Sequence, residues 1–186
     1  MDIEIKNSLQ ALQNNRLILY PTDTVWGLGC DATCEKSVSE IYKVKNRISS
    51  KSLIILVQDI EMLKTYIPKV SDQLIKFVNE AEKPTTVIYS NPIGLPKNMI
   101  AEDGTVAIRI PKSEFCKQLL QEFGKPIVST SANVSGEITP QCFSEISEKI
   151  IEKVDYVVNT DRDLKNGKPS TIVKLLEDGS LEIIRS

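Results

Sequence analysis

The sequence predicts an α/β domain whose sheet mixes parallel and antiparallel strands. Helical and strand-like segments alternate along most of the chain, and this alternation is typical of a layered α/β architecture. Strand-like runs also cluster at 86–110 and 154–184, so we expect antiparallel pairs there. With 186 residues, 41% of them hydrophobic, the chain is long enough for a full core, and we expect one domain over residues 1–186.

Two helix–strand units begin the chain. Apolar residues recur at helical spacing over 4–15 and precede an apolar run at 17–20 that is typical of a buried strand. The same order follows at 35–46, where the apolar residues share one helical face, and at 53–57, a continuous apolar run.

The rest of the chain predicts two more helices and several strands. Residues 71–82 have helical periodicity, and 113–123 form a second such segment that Gly124 ends as a C-terminal cap. A loop rich in Pro, Gly and Asn separates the first two strands of this part. The predicted strands are 86–89, 106–110, 127–128, 154–158, 171–175 and 181–184.

Composition excludes several function classes. The chain has no histidine, which removes the Ser-His-Asp and Cys-His arrangements and the usual proton shuttle near neutral pH. Its four cysteines are scattered, so we expect neither a disulfide framework nor a closed zinc site. Any catalysis would then depend on positioning, charge neutralisation and metal assistance, with a nucleophile that the substrate supplies.

Charge and hydropathy bear on location and partners. The formal net charge of −2 gives no global basic field for nucleic acid, although residues 43–51 form a local basic cluster. The chain has no run of about 18 apolar residues and no signal-like start, so we expect no membrane anchor and a cytoplasmic location.

The segment YPTDTVWGLGCDA, residues 20–32, is the strongest candidate for a functional site. Pro21 ends the preceding strand because it lacks a backbone N–H donor. Thr22, Asp23 and Thr24 then project polar groups beyond the strand, and the glycines that follow allow close approach of other groups. The alternative is structural, because a Thr-Asp-Thr cluster also closes turns or caps helices.

A second polar loop, STSANVSGE, follows the predicted strand 127–128 in the same way. Hydroxyls, an Asn side chain and backbone N–H groups at strand ends can cradle phosphate or carboxylate oxygens. The structural alternative for this loop is a helix N-cap.

Arg109 lies inside the apolar run TVAIRIP, where a guanidinium needs an anionic partner. A ligand carboxylate or phosphate would provide it through a bidentate ion pair, and so would Asp103 or another internal acid. The basic residues Lys45, Arg47 and Lys51 form either a polyphosphate clamp or a solvated helix end.

The ordered motifs YPTDTVWGLGCDA, KNR with SLIILV, TVAIRIP, STSANVSG and PSTIV resemble the YrdC/Sua5 family over nearly the whole chain. The resemblance implies a twisted mixed sheet with flanking helices and a central concave groove. It also implies synthesis of threonylcarbamoyl-adenylate and pyrophosphate from L-threonine, bicarbonate and ATP, for N6-threonylcarbamoyl modification of adenosine in tRNA. In that reaction the threonine amine captures CO2 or bicarbonate, and the resulting carbamate attacks the α-phosphorus of ATP.

The resemblance also implies roles for individual residues. Lys45 and Arg47 would act catalytically as electrostatic stabilisers, with Mg2+ accompanying ATP and its protein ligands unassigned. The threonine-binding residues would be Thr24, Arg109, Ser129 and Thr171, with Arg109 on the carboxylate. The ATP-binding residues would be Arg47, Lys51, Thr105, Ser131, Thr139 and Arg185.

Three departures from the family pattern bear on threonine selectivity. Ser52 stands where relatives often have Pro, Leu56 aligns with a threonine-contacting His of some relatives, and Lys83-Pro84-Thr85 replaces a Pro-Gly-Pro sequence. The resemblance further implies a short single-domain form that works with a tRNA-modifying transferase machinery and contacts tRNA or double-stranded RNA. Two alternatives remain, namely an RNA-binding module and a paralogue that acts in another carbamoyl transfer.

Overall fold

The predicted alternation of helices and strands is present in the structure. The computed structural model describes residues 2–47, 53–163, 168–176 and 180–186. No helix in these ranges is long and apolar enough to cross a membrane. The helices are α1 (Asp2–Gln13), α2 (Glu35–Val44), α3 (Ile60–Tyr66), α4 (Asp72–Glu80), α5 (Glu114–Phe123) and α6 (Glu148–Ile151). The strands are β1 (Ile18–Tyr20), β2 (Gly27–Gly29), β3 (Ile54–Leu56), β4 (Thr85–Ser90), β5 (Thr105–Arg109), β6 (Ile127–Ser131), β7 (Tyr156–Val157), β8 (Thr171–Leu175) and β9 (Leu181–Arg185).

The strands form a mixed sheet in the order β7-β1-β2-β6-β3-β5-β4-β8-β9. The pairs β1–β7, β3–β5 and β4–β8 are parallel and the other neighbours are antiparallel, which confirms the predicted mixture. The expected antiparallel pairs are found at β4–β5 and β8–β9. The expectation that 154–158 joins this antiparallel group is wrong, because Asp155 Oδ2 accepts a hydrogen bond from the Leu17 N–H at 2.9 Å and β7 pairs with β1.

Strand side chains alternate between two hydrophobic cores, one on each face of the sheet. Leu19 and Ile55 belong to the larger core, which also contains residues of α2, α3 and α4. Ile18 and Leu56 belong to the smaller core, which contains residues of α1 and α5. Within the described residues, β4, β5 and β8 contribute nothing to this smaller core. The helices α1 and α5 therefore cover only one end of their face of the sheet.

Local sequence explains where several helices begin and end. Asp59, Ser71 and Ser113 are the N-caps of α3, α4 and α5, and each side chain accepts a hydrogen bond from a backbone N–H in the first turn. Gly124 ends α5 with a left-handed φ of 67°, as its position after the last helical residue predicts.

Candidate active site

A cavity of about 260 Å³ opens on the part of the sheet face that α1 and α5 leave uncovered. Strands β3, β5, β4 and β8 contribute apolar surface to it through Ile54, Ala107, Ile88 and Ile172. The turn after β1, the end of β6 and the end of β9 bring polar groups to the same place. Most of the predicted site residues line this cavity, namely Thr24, Arg47, Arg109, Ser129, Ser131, Thr139 and Arg185.

The cavity lining is strongly cationic. It contains the guanidinium groups of Arg47, Arg109 and Arg185, and the described residues contribute no carboxylate to it. Burial lowers the pKa of Arg47, and burial together with the positive charge of Arg109 lowers the pKa of Arg185. Because guanidinium groups repel one another in a partly buried space, the cavity favours a ligand with several negative charges.

Arg109 is held by the Asp23-Thr24 dipeptide while it faces the cavity. Its side chain is 3% exposed, and its Nη2 atom lies 3.4 Å from Asp23 Oδ1. Its Nη1 atom donates a hydrogen bond to Thr24 Oγ1 at 3.0 Å. The internal acid that the sequence left open as a partner is therefore Asp23. Asp103 instead accepts a hydrogen bond from the Thr105 hydroxyl at 2.6 Å.

The Thr-Asp-Thr segment forms a turn and contributes to the site as well. The Thr22 hydroxyl donates to the Val25 carbonyl at 2.7 Å and accepts from the Thr24 backbone N–H at 3.1 Å. The Thr22 and Thr24 hydroxyls are 2.9 Å apart. This network fixes the Thr24 hydroxyl that accepts a hydrogen bond from Arg109. The segment therefore closes a turn and also contributes to the site, so its structural and functional interpretations are compatible.

The end of α2 places Arg47 at the cavity. Asn46 has a left-handed φ of 48°, and its N–H donates to the Lys43 carbonyl at 3.0 Å. The Arg47 N–H donates to the Tyr42 carbonyl at 3.0 Å, which completes the two hydrogen bonds of a Schellman motif. The chain direction therefore changes at Asn46, one residue before Arg47.

Arg185 is anchored by Ser170, the residue just before the neighbouring strand β8. Its Nε and Nη2 atoms donate to the Ser170 carbonyl at 3.1 and 2.8 Å. The Ser170 hydroxyl lies 2.8 Å from the Thr86 hydroxyl and also lines the cavity. The PSTIV motif includes Ser170, but the sequence suggested a role for its neighbour Thr171 and none for Ser170 itself.

The structure does not bring every predicted site residue to the cavity. Thr171 lies between two lining residues, Ser170 and Ile172, so its side chain is on the opposite face of β8. Thr105 lies at the start of β5, before the lining residues of that strand, and its hydroxyl donates a hydrogen bond to Asp103. Lys45 is buried behind the lining, and Lys51 lies outside the described residues.

The four cysteines do not pair with one another in the structure. Cys30, Cys34, Cys116 and Cys142 are free thiols. In the part of the chain that the structure describes, no group of three or more Cys, Asp or Glu residues could hold a metal ion.

Known proteins share this fold and sequence pattern. The profile of the Sua5/YciO/YrdC family, described as "Telomere recombination", matches residues 10–186. A threonylcarbamoyl-AMP synthase from Pseudoalteromonas translucida is 33% identical over 172 residues, which cover 90% of this chain and 91% of that relative.

Solved structures give the same result for the fold. The crystal structure of Pyrococcus abyssi Sua5 complexed with L-threonine has a TM-score of 0.86 at 23% identity; it matches 100% of this chain, which spans 54% of that protein. Full-length HypF in a phosphate- and nucleotide-bound form has a TM-score of 0.85 at 26% identity, covering 98% of this chain and 28% of that one. On the sequence profile and the fold together, this chain belongs to the Sua5/YciO/YrdC family.

Proposed function

We propose that this protein is a threonylcarbamoyl-AMP synthase. The observation that carries the proposal is that Arg109 and Thr24 line the same cavity as the cationic groups of Arg47 and Arg185. A carboxylate suits a planar guanidinium, and a triphosphate suits several cations with nearby hydroxyls. The similar Pseudoalteromonas enzyme, matched over most of both chains, carries that activity in its name.

The substrates would supply the reacting groups. The threonine nitrogen forms a bond to the carbon of CO2 or bicarbonate, with release of a proton or of water, and gives a carbamate. A carbamate oxygen then bonds to the α-phosphorus of ATP while the bond from that phosphorus to the bridging oxygen breaks. Pyrophosphate leaves, and threonylcarbamoyl-AMP remains. This route needs no protein nucleophile, which agrees with a chain that has no histidine.

The cavity residues divide into two groups in this proposal. Thr24, Arg109 and Ser129 would bind threonine, with its carboxylate on Arg109. The residues proposed for ATP are Arg47, Ser131, Thr139 and Arg185. Ser170 would keep Arg185 in place. Ser170 also lines the cavity, where the sequence suggested Thr171. The roles of Lys51 and Thr105 stay predictions from the sequence.

Mg2+ would enter with ATP. The described residues offer no acidic cluster, and Mg2+ in nucleotide sites commonly keeps several waters and binds substrate phosphates. When bound, it would neutralise part of the charge on the triphosphate. The hydroxyls of Ser131 and Thr139 fit a phosphate-bound ion, because Mg2+ prefers oxygen ligands.

The product would serve tRNA modification in the cytoplasm. We propose that a separate transferase machinery moves the threonylcarbamoyl group to tRNA, and that this chain contacts tRNA or other double-stranded RNA during transfer. The family resemblance and the basic cluster at 43–51 suggested RNA contact. Two lysines of this cluster are engaged within the protein, since Lys43 pairs with Glu40 and Lys45 is buried.

The proposal is tested by pyrophosphate release from the purified chain with ATP, Mg2+, bicarbonate and L-threonine. We expect release that requires L-threonine and stops when L-serine or D-threonine replaces it. Release that does not depend on threonine would favour a paralogue of another carbamoyl transfer. No release, together with salt-dependent RNA binding, would favour an RNA-binding module.

A further inference from the structure

Lys45 is a buried cation that does not line the cavity. It is 2% exposed, and its Nζ atom donates hydrogen bonds to the backbone carbonyls of Ser131 at 2.6 Å and Asn133 at 2.7 Å. Within the described ranges no carboxylate pairs with it. Because burying an ammonium in this way is costly, the two carbonyls are its structural compensation.

The backbone of Lys45 holds the same loop. The Ser135 N–H donates to the Lys45 carbonyl at 2.8 Å, so three hydrogen bonds tie the end of α2 to residues 131–135. The Asn133 side chain continues this arrangement, because its Nδ2 atom donates to the Val134 carbonyl at 3.1 Å and the Glu137 carbonyl at 2.8 Å. The loop is therefore fixed on one side by α2 and braced internally.

This loop carries part of the cavity lining. Ser131 lies at its start and Thr139 lies two residues beyond Glu137, and both line the cavity. Arg47, two residues after Lys45, lines the cavity from the opposite segment. Lys45 thus stands at the junction of the two segments that the proposed function assigns to ATP.

We propose that Lys45 is a positioning residue, which sets the 131–139 loop against Arg47 and so shapes the ATP half of the site without touching the substrate. The proposal rests on the proposed function, which it deepens. It replaces the role in direct charge stabilisation that the sequence suggested for Lys45.

The first test is Lys45→Met, which keeps an unbranched apolar stem as far as the Cε position and removes the ammonium with its hydrogen bonds. Calorimetric titration of the full chain with ATP and with L-threonine measures binding without turnover. We expect the Kd for ATP to rise at least about tenfold and the Kd for threonine to change less than about twofold. The matched control is Lys43→Met in the preceding helix α2, where the lysine is 71% exposed and pairs with Glu40. We expect it to bind both ligands like the wild type.

The second test separates positioning from direct contact with a phosphate. Asn133→Ala removes the loop brace and leaves the Lys45 ammonium in place, so positioning predicts weaker ATP binding in this variant too. The double variant should lose little more than the larger single loss, because both changes act on one loop. If Asn133→Ala binds ATP like the wild type while Lys45→Met does not, Lys45 touches the nucleotide and the proposal is wrong.

A pH series supplies a readout that a simple packing defect would not change. Burial, with the charge of Arg47, lowers the pKa of Lys45 to about 8, and its ammonium donates to two backbone carbonyls of the loop. Deprotonation leaves a neutral amine whose hydrogen bonds to the two carbonyls are weaker than those of the ammonium. We therefore expect ATP binding by the wild type to weaken between pH 7 and about 9, whereas Lys45→Met, which lacks this titrating group, should not show that decline. A wild type and a variant with the same profile would contradict the proposal.

The outcomes also distinguish this proposal from the proposed function. ATP binding that depends on Lys45 in a chain that makes no threonine-dependent pyrophosphate would leave the loop role intact and refute the synthase activity. Unchanged ATP binding in Lys45→Met with a lower kcat for threonine-dependent pyrophosphate release would refute the loop role and leave the synthase activity intact. A thermal melt accompanies each variant, and Asn133→Ala carries the test if Lys45→Met does not fold.

Discussion

Arg109 shows how one buried cation serves both the fold and a ligand. The neighbouring Asp23 balances part of its charge, and Thr24 occupies one of its donors. The pairing lets the guanidinium stay buried before any ligand binds, because an uncompensated charge there would be strongly unfavourable. Arg109 still lines the cavity, so a ligand carboxylate can accept hydrogen bonds from its guanidinium.

Arg109 and Arg47, which we propose bind different substrates, allow a test at the residue scale. Arg109→Lys keeps the charge opposite Asp23 but loses the planar fork that matches a carboxylate. We expect the KM for threonine to rise about ten- to hundredfold, with less than about a twofold change for ATP. Arg47→Lys should give the reverse pattern in the same steady-state assay of pyrophosphate release.

The control for both substitutions is Arg16→Lys, at an exposed position outside the cavity, which should change neither KM. Thermal melts must show that both cavity variants remain folded. Equal effects of Arg109→Lys on both substrates would contradict the division of the cavity into a threonine half and an ATP half.

The sequence could identify site residues wherever one side chain had an evident chemical need. Arg109 in an apolar run and the hydroxyls of the STSAN loop are of this kind, and all of them lie at or beside the cavity. Thr171 does not line the cavity although the sequence suggested that it would, and strand periodicity explains why. Val173 is buried in the larger core, so period-two alternation places Thr171 on that face and Ser170 on the other.

At the scale of elements, the short turn at the end of α2 controls where Arg47 lies. Asn46 adopts the left-handed conformation that few residues other than glycine and asparagine tolerate. We expect Asn46→Val to lower the free energy of unfolding by about 1–2 kcal/mol and to raise the KM for ATP. Asn46→Gly should preserve both, because glycine accepts the same φ.

Urea unfolding and the pyrophosphate assay measure these two effects on the same preparations. The comparison of Val and Gly at one position separates the backbone from the side chain. If both variants lose ATP affinity equally, the asparagine side chain rather than the turn holds Arg47.

Gly29 controls the contact between β2, β1 and β6. A Cβ atom at this position would lie 2.6 Å from Tyr20 Cε1 and 2.6 Å from the Val128 carbonyl oxygen. We expect Gly29→Ala to destabilise the protein by about 1–3 kcal/mol, because the backbone oxygen cannot move without disturbing β6. Gly27→Ala is the comparison, since its nearest contacts are at 3.2 Å, and it should cost clearly less in urea unfolding.

Long periodic segments could be predicted at this scale, and short elements could not. The helices α1, α2, α4 and α5 lie within a few residues of their predicted bounds. Strand β2 was missed because its sequence is Gly-Leu-Gly, and glycine is depleted in strands. Helix α3 was missed because its 7 residues give too short a window for helical periodicity.

At the scale of the whole molecule, the site exists because the helices cover one face of the sheet unevenly. The smaller core ends at β3, and the uncovered strands beyond it form the cavity. The polar segments after the predicted strands indicated a site at the tips of several strands. They could not show that part of the lining comes from the face of the sheet, because strand order depends on contacts between segments far apart in the chain.

The three arginines gathered on this uncovered face predict that ligands stabilise the entire fold. Without an anion their positive charges repel one another, and a triphosphate would relieve that repulsion while binding the folded state alone. At ATP concentrations of about 100 times Kd, linkage gives about 2.7 kcal/mol, which corresponds to a rise in Tm of about 5–10 °C for a chain of this size. Scanning calorimetry with and without ATP measures this shift, and adenosine is the control because it lacks the phosphates.

The rise in Tm should become smaller as salt increases, since screening weakens the attraction between the arginines and the triphosphate. An equal shift with adenosine would mean that the base rather than the arginine cluster carries the binding energy.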